Sequence, residues 1–286
     1  MGERPLRQHY EGLDAQVDDE LFAVYEPWRR HRDRFIAALG AMSEEQASAT
    51  TRCTEWDAKD ILTHLVSADG FWVLTLGNSR TGAAPTKFLQ GFDPSSSLDP
   101  IIDAQRDVSF PDQLTAFKAS TDALAAEVAQ WDGEDWDMHA ESPFGHLAAR
   151  FIFAHAFWDS WLHERDTLVP LGLAGPVETD ELLVAAWFTL FVAGAQGGLL
   201  GDNSPVGAGL GRPVDVTISF DDIPGRALRV RYDEAVRIEV VDPAHAKPAG
   251  RALDLVEGTA GRAPTRFDTI PDDELAAQIA RAAMIL

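Results

Sequence analysis

The spacing of apolar side chains divides this chain of 286 residues into a long helical part and a shorter part built of strands. Leu21, Val24, Tyr25, Trp28, Phe35, Ile36 and Leu39 recur at three- and four-residue steps and predict a helix from near Asp18 to Gly40 with one buried face. Pro27 lacks an amide hydrogen, so it kinks that helix or marks a new start. The same period predicts further helices at about 60–77, 111–131, 143–169 and 179–199. In the first of these, Ile61, Leu62, Leu65, Ala68, Trp72 and Leu76 form the stripe. The longest apolar stretch, Leu182 to Leu200, is interrupted by Gly194, Gln196, Gly197 and Gly198 and falls short of the roughly 20 unbroken apolar residues of a membrane span. It reads as a buried helix of a bundle.

At Gly201 to Pro213 the pattern stops, and the period then changes from helix to strand. Gly207, Gly209 and Gly211 lack the preceding strand and following helix of a dinucleotide loop, so the segment reads as a linker. Beyond it Val214, Val216, Ile218 and Phe220 alternate, as do Leu228, Val230 and Tyr232, then Val236, Ile238 and Val240. Three such runs predict an antiparallel sheet with one buried face. A short helix near Leu253 to Glu257 and a terminal one from about Asp272, with Leu275, Ile279 and Ala282 inward, complete this part. The expected fold is mainly α plus α+β: a helical bundle over 15–203, then a small α+β domain over 212–286. Between the second and third helices, Asn78 to Pro111 is long and rich in Gly, Pro and Ser. Loops of that length inside a domain tend to be functional, and this one is positioned to cover a pocket, with Lys87, Phe88 and Phe92 as its substrate contacts.

Composition narrows the partners. With 24 basic and 46 acidic residues the net charge is −22, which disfavours nucleic acid and anionic membranes by long-range repulsion. An anionic substrate would need local cations, for which Arg150, Arg165, Arg226, Arg229 and Arg231 are candidates. The single cysteine excludes an internal disulfide, and the N-terminus shows no charged-then-apolar leader, so a cytoplasmic location is expected.

The chemistry concentrates in Phe153 to Thr167, where His155, Asp159 and His163 lie four residues apart and therefore share a helix face. Trp158 and Leu162 join that face, with Phe151 and Ile152 a turn or two earlier, so it points inward. Burying ionisable groups there is unfavourable unless they are paired or bound to a metal. A buried Asp–His pair tying the helix to its neighbours satisfies this, and so does a metal centre. Earlier in the chain, Thr51, Cys53 and Trp56 form a T-x-C-x-x-W turn, followed by Asp60, Ile61, Leu62 and His64. Cys53 has no activating base near it in sequence and reads as a small buried residue fixing the turn.

Together with the later Asp159, His163 and Asp166, these motifs resemble the DinB-like metal-binding helical bundle and, within it, the mycothiol-dependent maleylpyruvate isomerase family. The resemblance covers most of residues 15 to 200 and implies His64, Asp159 and His163 as metal ligands, with Asp159 where the family has Glu. It also implies a sterol-carrier-like C-terminal domain and mycothiol as thiol cosubstrate. The thiol would add to an activated double bond, rotation would follow, and loss of the thiol would leave the other isomer. Two imidazoles and a carboxylate suit Zn²⁺ with an open fourth position, and also Fe²⁺; zinc is favoured. His155 would replace or add a ligand, or act catalytically by moving a proton, and Asp166 would hold His163 through its other nitrogen. Three function classes follow: the isomerase, a mycothiol S-transferase acting on an electrophile, and a non-enzymatic metal or small-ligand binder.

Overall fold

The structure is a computed structural model that describes residues 8–11, 13–93, 96–199, 212–264 and 267–283. In chain order the elements are β1 (Ala15–Val17), α1 (Tyr25–Gly40), α2 (Glu44–Ala47), α3 (Ala58–Arg80), α4 (Asp99–Ala104) and α5 (Phe110–Val128). A hairpin of β2 (His139–Ser142) and β3 (Gly145–Ala148) precedes α6 (Ala149–Leu168) and α7 (Thr179–Leu199). Then come β4 (Val214–Ser219), β5 (Ala227–Tyr232), β6 (Val236–Val241), β7 (Lys247–Pro248), α8 (Ala252–Thr259) and α9 (Asp273–Ala282). The mixed architecture of helical bundle and small sheet is the one expected. The linker glycines Gly207, Gly209 and Gly211 lie outside the described residues.

Two boundaries differ from the sequence expectation. The first helix starts at Tyr25 instead of near Asp18, with Pro27 in its first turn, where a missing amide hydrogen costs nothing. The residues before it are committed elsewhere: β1 pairs in parallel with β6, and the Asp18 carboxylate accepts the Val240 amide hydrogen at 2.8 Å. The helix expected from 143 starts only at Ala149, because Pro143 and Gly145 turn the β2–β3 hairpin. Gly145 has φ +109°, and a Cβ there would meet the backbone of His9 at 2.5 Å, so the N-terminal segment passes where a side chain would stand.

The sheet order is β1-β6-β5-β4-β7, antiparallel from β6 to β4 and parallel at both edges. Inward residues Val214, Val216, Ile218, Val230, Tyr232, Val236 and Ile238 are buried, as the alternation requires. The sheet and the bundle share α7, an apolar helix that packs on α6 and also on the sheet, α8 and α9. Gly194 lets α7 approach: a Cβ there would lie 2.7 Å from the Tyr232 ring and 2.8 Å from Val236. The Tyr232 hydroxyl donates to the Leu190 carbonyl across the same contact. Among the described residues no helix is long and apolar enough to cross a membrane.

Candidate metal centre and pocket

The T-x-C-x-x-W turn is held by its own first residue. The Thr51 hydroxyl donates to the carbonyls of Cys53 and Trp56 and accepts the Cys53 amide hydrogen. Asp57 then caps α3 by accepting from the Asp60 amide, while the Asp60 side chain accepts from the Asp57 amide. The aspartate of the sequence motif is thus a capping residue that fixes where α3 begins, and with it the direction of His64 two turns later.

α3 and α6 run past one another in opposite senses, bringing His64 against Asp159. His64 Nε2 lies 3.2 Å from Oδ1 and 3.0 Å from Oδ2 of Asp159, and His163 Nε2 lies 3.4 Å from the same Oδ1. One donor atom from each of the three residues falls within 4.8 Å of the others. The two spacings that share Oδ1, 3.2 and 3.4 Å, are close to the edge, roughly 3.3 Å, of a tetrahedron with metal–ligand bonds of about 2.0–2.1 Å. The donor set therefore fits a divalent metal of zinc type. Trp56 lies over the cluster, its ring 5.5 Å from His64 and 6.0 Å from His163.

Burial alone would raise the Asp159 carboxyl, but the imidazoles of His64 and His163 outweigh it and hold it well below the ordinary range. Burial likewise disfavours the charged form of His163, yet its hydrogen bonds to Asp159, Asp166 and Cys53 raise it well above the usual histidine value. Asp166 takes the far side of that ring, 3.2 Å from Nδ1. Asp166 is itself enclosed: the Cys53 thiol donates to it at 3.2 Å, and the Arg52 and Arg262 guanidinium groups donate at 3.1 and 3.2 Å. Arg262 also reaches the Cys53 sulfur at 3.2 Å. Cys53 thus meets basic groups that are 110 and 209 positions away along the chain.

His155 stands apart from the three donors. Its ring is enclosed by Trp72, Phe144 and Phe188 at centroid distances of 5.1, 5.4 and 5.2 Å, and its Nδ1 is buried with no hydrogen-bond partner. Burial pushes its pKa down to about 4, with Asp159 pulling it up and His64 pushing it further down. At neutral pH it is an uncharged imidazole.

The three donors, Trp56, His155, Cys53, Arg52 and Arg262 line one cavity of about 850 Å³ between α3, α6 and the loop after α3. Phe88 and Phe92 of that loop reach it as expected. Lys87 does not, its ammonium resting 5.0 Å from the Tyr10 ring. The loop is anchored by the buried Glu141 of β2. Its carboxylate accepts the backbone amide hydrogens of Phe88 at 2.9 Å and Leu89 at 2.7 Å and the hydroxyls of Thr86 and Tyr10. The five arginines singled out as anion clamps face elsewhere. Arg150 pairs with Asp19 and Asp137, Arg165 with Glu257, Arg226 with Glu20, Arg229 with Asp215 and Arg231 with Glu239. The cavity's own arginines are Arg52 and Arg262. Arg52 sits in the quoted turn and was within reach of sequence reading, whereas nothing local signals Arg262, which folding delivers from beyond α8.

Comparison with known proteins agrees with this architecture. Residues 28–167 match the family model of the mycothiol maleylpyruvate isomerase N-terminal domain. Two solved structures are similar over 86% of this chain and 89% of theirs: a histidine mutant of the mycothiol-dependent maleylpyruvate isomerase, at 13% identity and TM-score 0.54, and the unmutated isomerase, at 12% and 0.51. No curated protein matches the chain in sequence.

Proposed function

We propose, from the premise that residues 28–167 belong to the mycothiol maleylpyruvate isomerase N-terminal domain family, that this chain is a thiol-dependent metalloenzyme of the isomerase type, acting on an activated double bond. The observation that carries the reading is the convergence of His64, Asp159 and His163 on the wall of a cavity of about 850 Å³. A closed structural site needs no such space, whereas a catalytic one needs room beside its open position. His64, Asp159 and His163 would hold a divalent metal, zinc first, whose Lewis acidity would favour the ionised form of a thiol, mycothiol in this reading, near neutral pH.

The chain's own groups do the rest. Asp166 fixes the His163 ring through Nδ1, so that Nε2 faces Asp159; burial alone would raise the Asp166 carboxyl, but His163 and Arg262 hold it ionised, and Arg52 adds an ion pair. Trp56, lying over His64 and His163, shields one side of the centre. We assign proton transfer at the cavity wall to His155, whose Nδ1 is unpaired; because burial disfavours its charged form, the proton would be held only transiently.

A second reading, transfer of the thiol to an electrophile, is favoured by one feature: both cavity arginines are already engaged by Asp166, which leaves no evident clamp for a dicarboxylate. Elemental analysis of the purified protein and of Asp159→Ala, with mycothiol titrated by calorimetry, tests the common core of the two. One metal per chain, lost in the variant, with proton-releasing thiol binding is the expected result. Metal without thiol binding would remove the thiol from the mechanism, and absence of metal would leave a binding protein.

A further inference from the structure

The cavity changes character along its length. His64 lies against Asp159, and Trp72, eight residues further along α3, lies against His155. At 1.5 Å per residue Trp72 stands about 12 Å beyond His64 along α3 and His155 about 6 Å beyond Asp159 along α6, so the cavity continues past the three donors on both helices. Its far end is walled by Phe71, Trp72, Phe144, His155 and Trp158, and the loop closes over it with Phe88 and Phe92. Both guanidinium groups among the lining residues, Arg52 and Arg262, belong to the opposite end, beside Cys53.

We infer that the electrophile is an uncharged, ring-bearing molecule held at the Trp72–His155 end, while the polar end beside Arg52 and Arg262 receives the thiol cosubstrate. This rests on the thiol-dependent reading above. A compact dianion at the far end would lose its hydration, find no lysine or arginine, and face Asp159 and a net charge of −22. A flat ring finds aromatic faces on several sides, each good contact multiplying affinity by roughly two- to tenfold. Among the described residues the Nδ1 of His155 is the buried side-chain polar atom of that end with no partner, suited to a single carbonyl or hydroxyl on the ring. Specificity then lies in one hydrogen bond within an apolar slot.

Calorimetry on the full-length, metal-loaded protein without thiol separates recognition from chemistry, with dinitrobenzene as the uncharged ring and maleate as the dianion. Dinitrobenzene is expected to bind saturably, and at least about tenfold more tightly than maleate. Trp72→Ala should weaken it by roughly tenfold. Because Trp72 is buried, Phe88→Ala is the second variant: its ring is 66% exposed on a loop, so its loss leaves the core intact and should weaken binding by roughly two- to tenfold. Tighter binding of maleate, no binding of the ring, or ring binding indifferent to both variants would each overturn the inference. Thiol consumption with chlorodinitrobenzene is then measured separately. Saturable ring binding with no thiol consumed would sink the thiol reading and leave the recognition standing.

Discussion

Asp69 and Asp159 are carboxylates of the same bundle, one buried and one half-buried, and their surroundings could hardly differ more. Asp69 receives both terminal nitrogens of Arg32, at 2.8 and 3.0 Å, and the Ser120 hydroxyl at 2.7 Å; Arg32 in turn donates to Thr121 and lies over the Phe117 ring. The group joins α1, α3 and α5 with 1% of either charged side chain exposed. Asp159 faces two imidazoles, not a guanidinium, its side chain is 18% exposed toward the cavity, and His64 keeps a buried Nδ1 with no partner. Pairing is what makes a buried charge tolerable, and at Asp69 the pairing is complete on the carboxylate side. Around Asp159 the ligand-type atoms face one another across a space, and the cavity begins there. A closed ion pair reads as architecture, an open cluster of donors as a centre that binds something.

The strongest way to break this contrast is to remove each acid in turn. Asp69→Ala leaves Arg32 charged and unpaired in the core and should cost about 3–5 kcal/mol of unfolding free energy in urea, with metal content unchanged. If the variant instead loses metal, the two clusters are coupled and the contrast fails.

His155 extends the comparison to pH. Its folded pKa of about 4 lies below the ordinary histidine value of 6.5, so the unfolded chain binds the proton first as pH falls. Stability from this group is therefore full above pH 6.5 and is lost between 6.5 and about 4, by about 3 kcal/mol in all. His155→Phe should flatten the acid limb by that amount in the metal-free protein. An unchanged limb would mean that this imidazole is solvated in the folded state.

Next in size is Asp159→Asn, which keeps the shape of the side chain and removes its charge. Metal affinity should fall by more than about 100-fold, the upper range for losing a partner outside the coordination sphere, in contrast to the metal-replete Asp69 variant. Retention of metal would return the triad to the bland alternative of an Asp–His pair tying two helices together.

How much of this was legible in the chain follows from where each signal resides. Helical period and alternation are local, so α3, α5, α7, the end of α6 and the three main strands appeared in the sequence close to their true limits. The four-residue spacing of Asp159 and His163 is local too, and the turn leading to His64 carried a recognisable motif. β1 was missed because a three-residue strand has no period of its own and exists through pairing with β6, more than 200 positions away. The hairpin before α6 was absorbed into the helix because its apolar residues continue the same density, and the turn depends on Gly145 meeting His9. Arg262 could not be anticipated, since its meaning comes from Asp166 and Cys53. Conversely, five arginines that looked available are spent on acids of their own neighbourhood, as an excess of carboxylates makes probable for any arginine of this chain.

Glu141 is the case between the two extremes and gives the smallest of the expected effects. It is fully buried, like Asp69, and carries no ligand geometry, yet every donor it satisfies serves the cavity: Tyr10 from the N-terminal segment, and Thr86, Phe88 and Leu89 from the loop that closes over the pocket. A carboxylate is suited to this place because it accepts on both oxygens, whereas an amide turns one of them into a donor facing other donors. Glu141→Gln should therefore cost only about 1–2 kcal/mol of global stability, but the amides of 86–92 should exchange with solvent faster and the KM for the ring-bearing electrophile should rise while metal content stays the same. Unchanged loop exchange or an unaltered KM would show that the loop is held by Gln8 and His146, which also bond it, at Leu89 and Thr86. A charge that is closed off in the manner of Asp69 would then serve the pocket no more than Asp69 does, and burial with full pairing would mark architecture everywhere in this molecule.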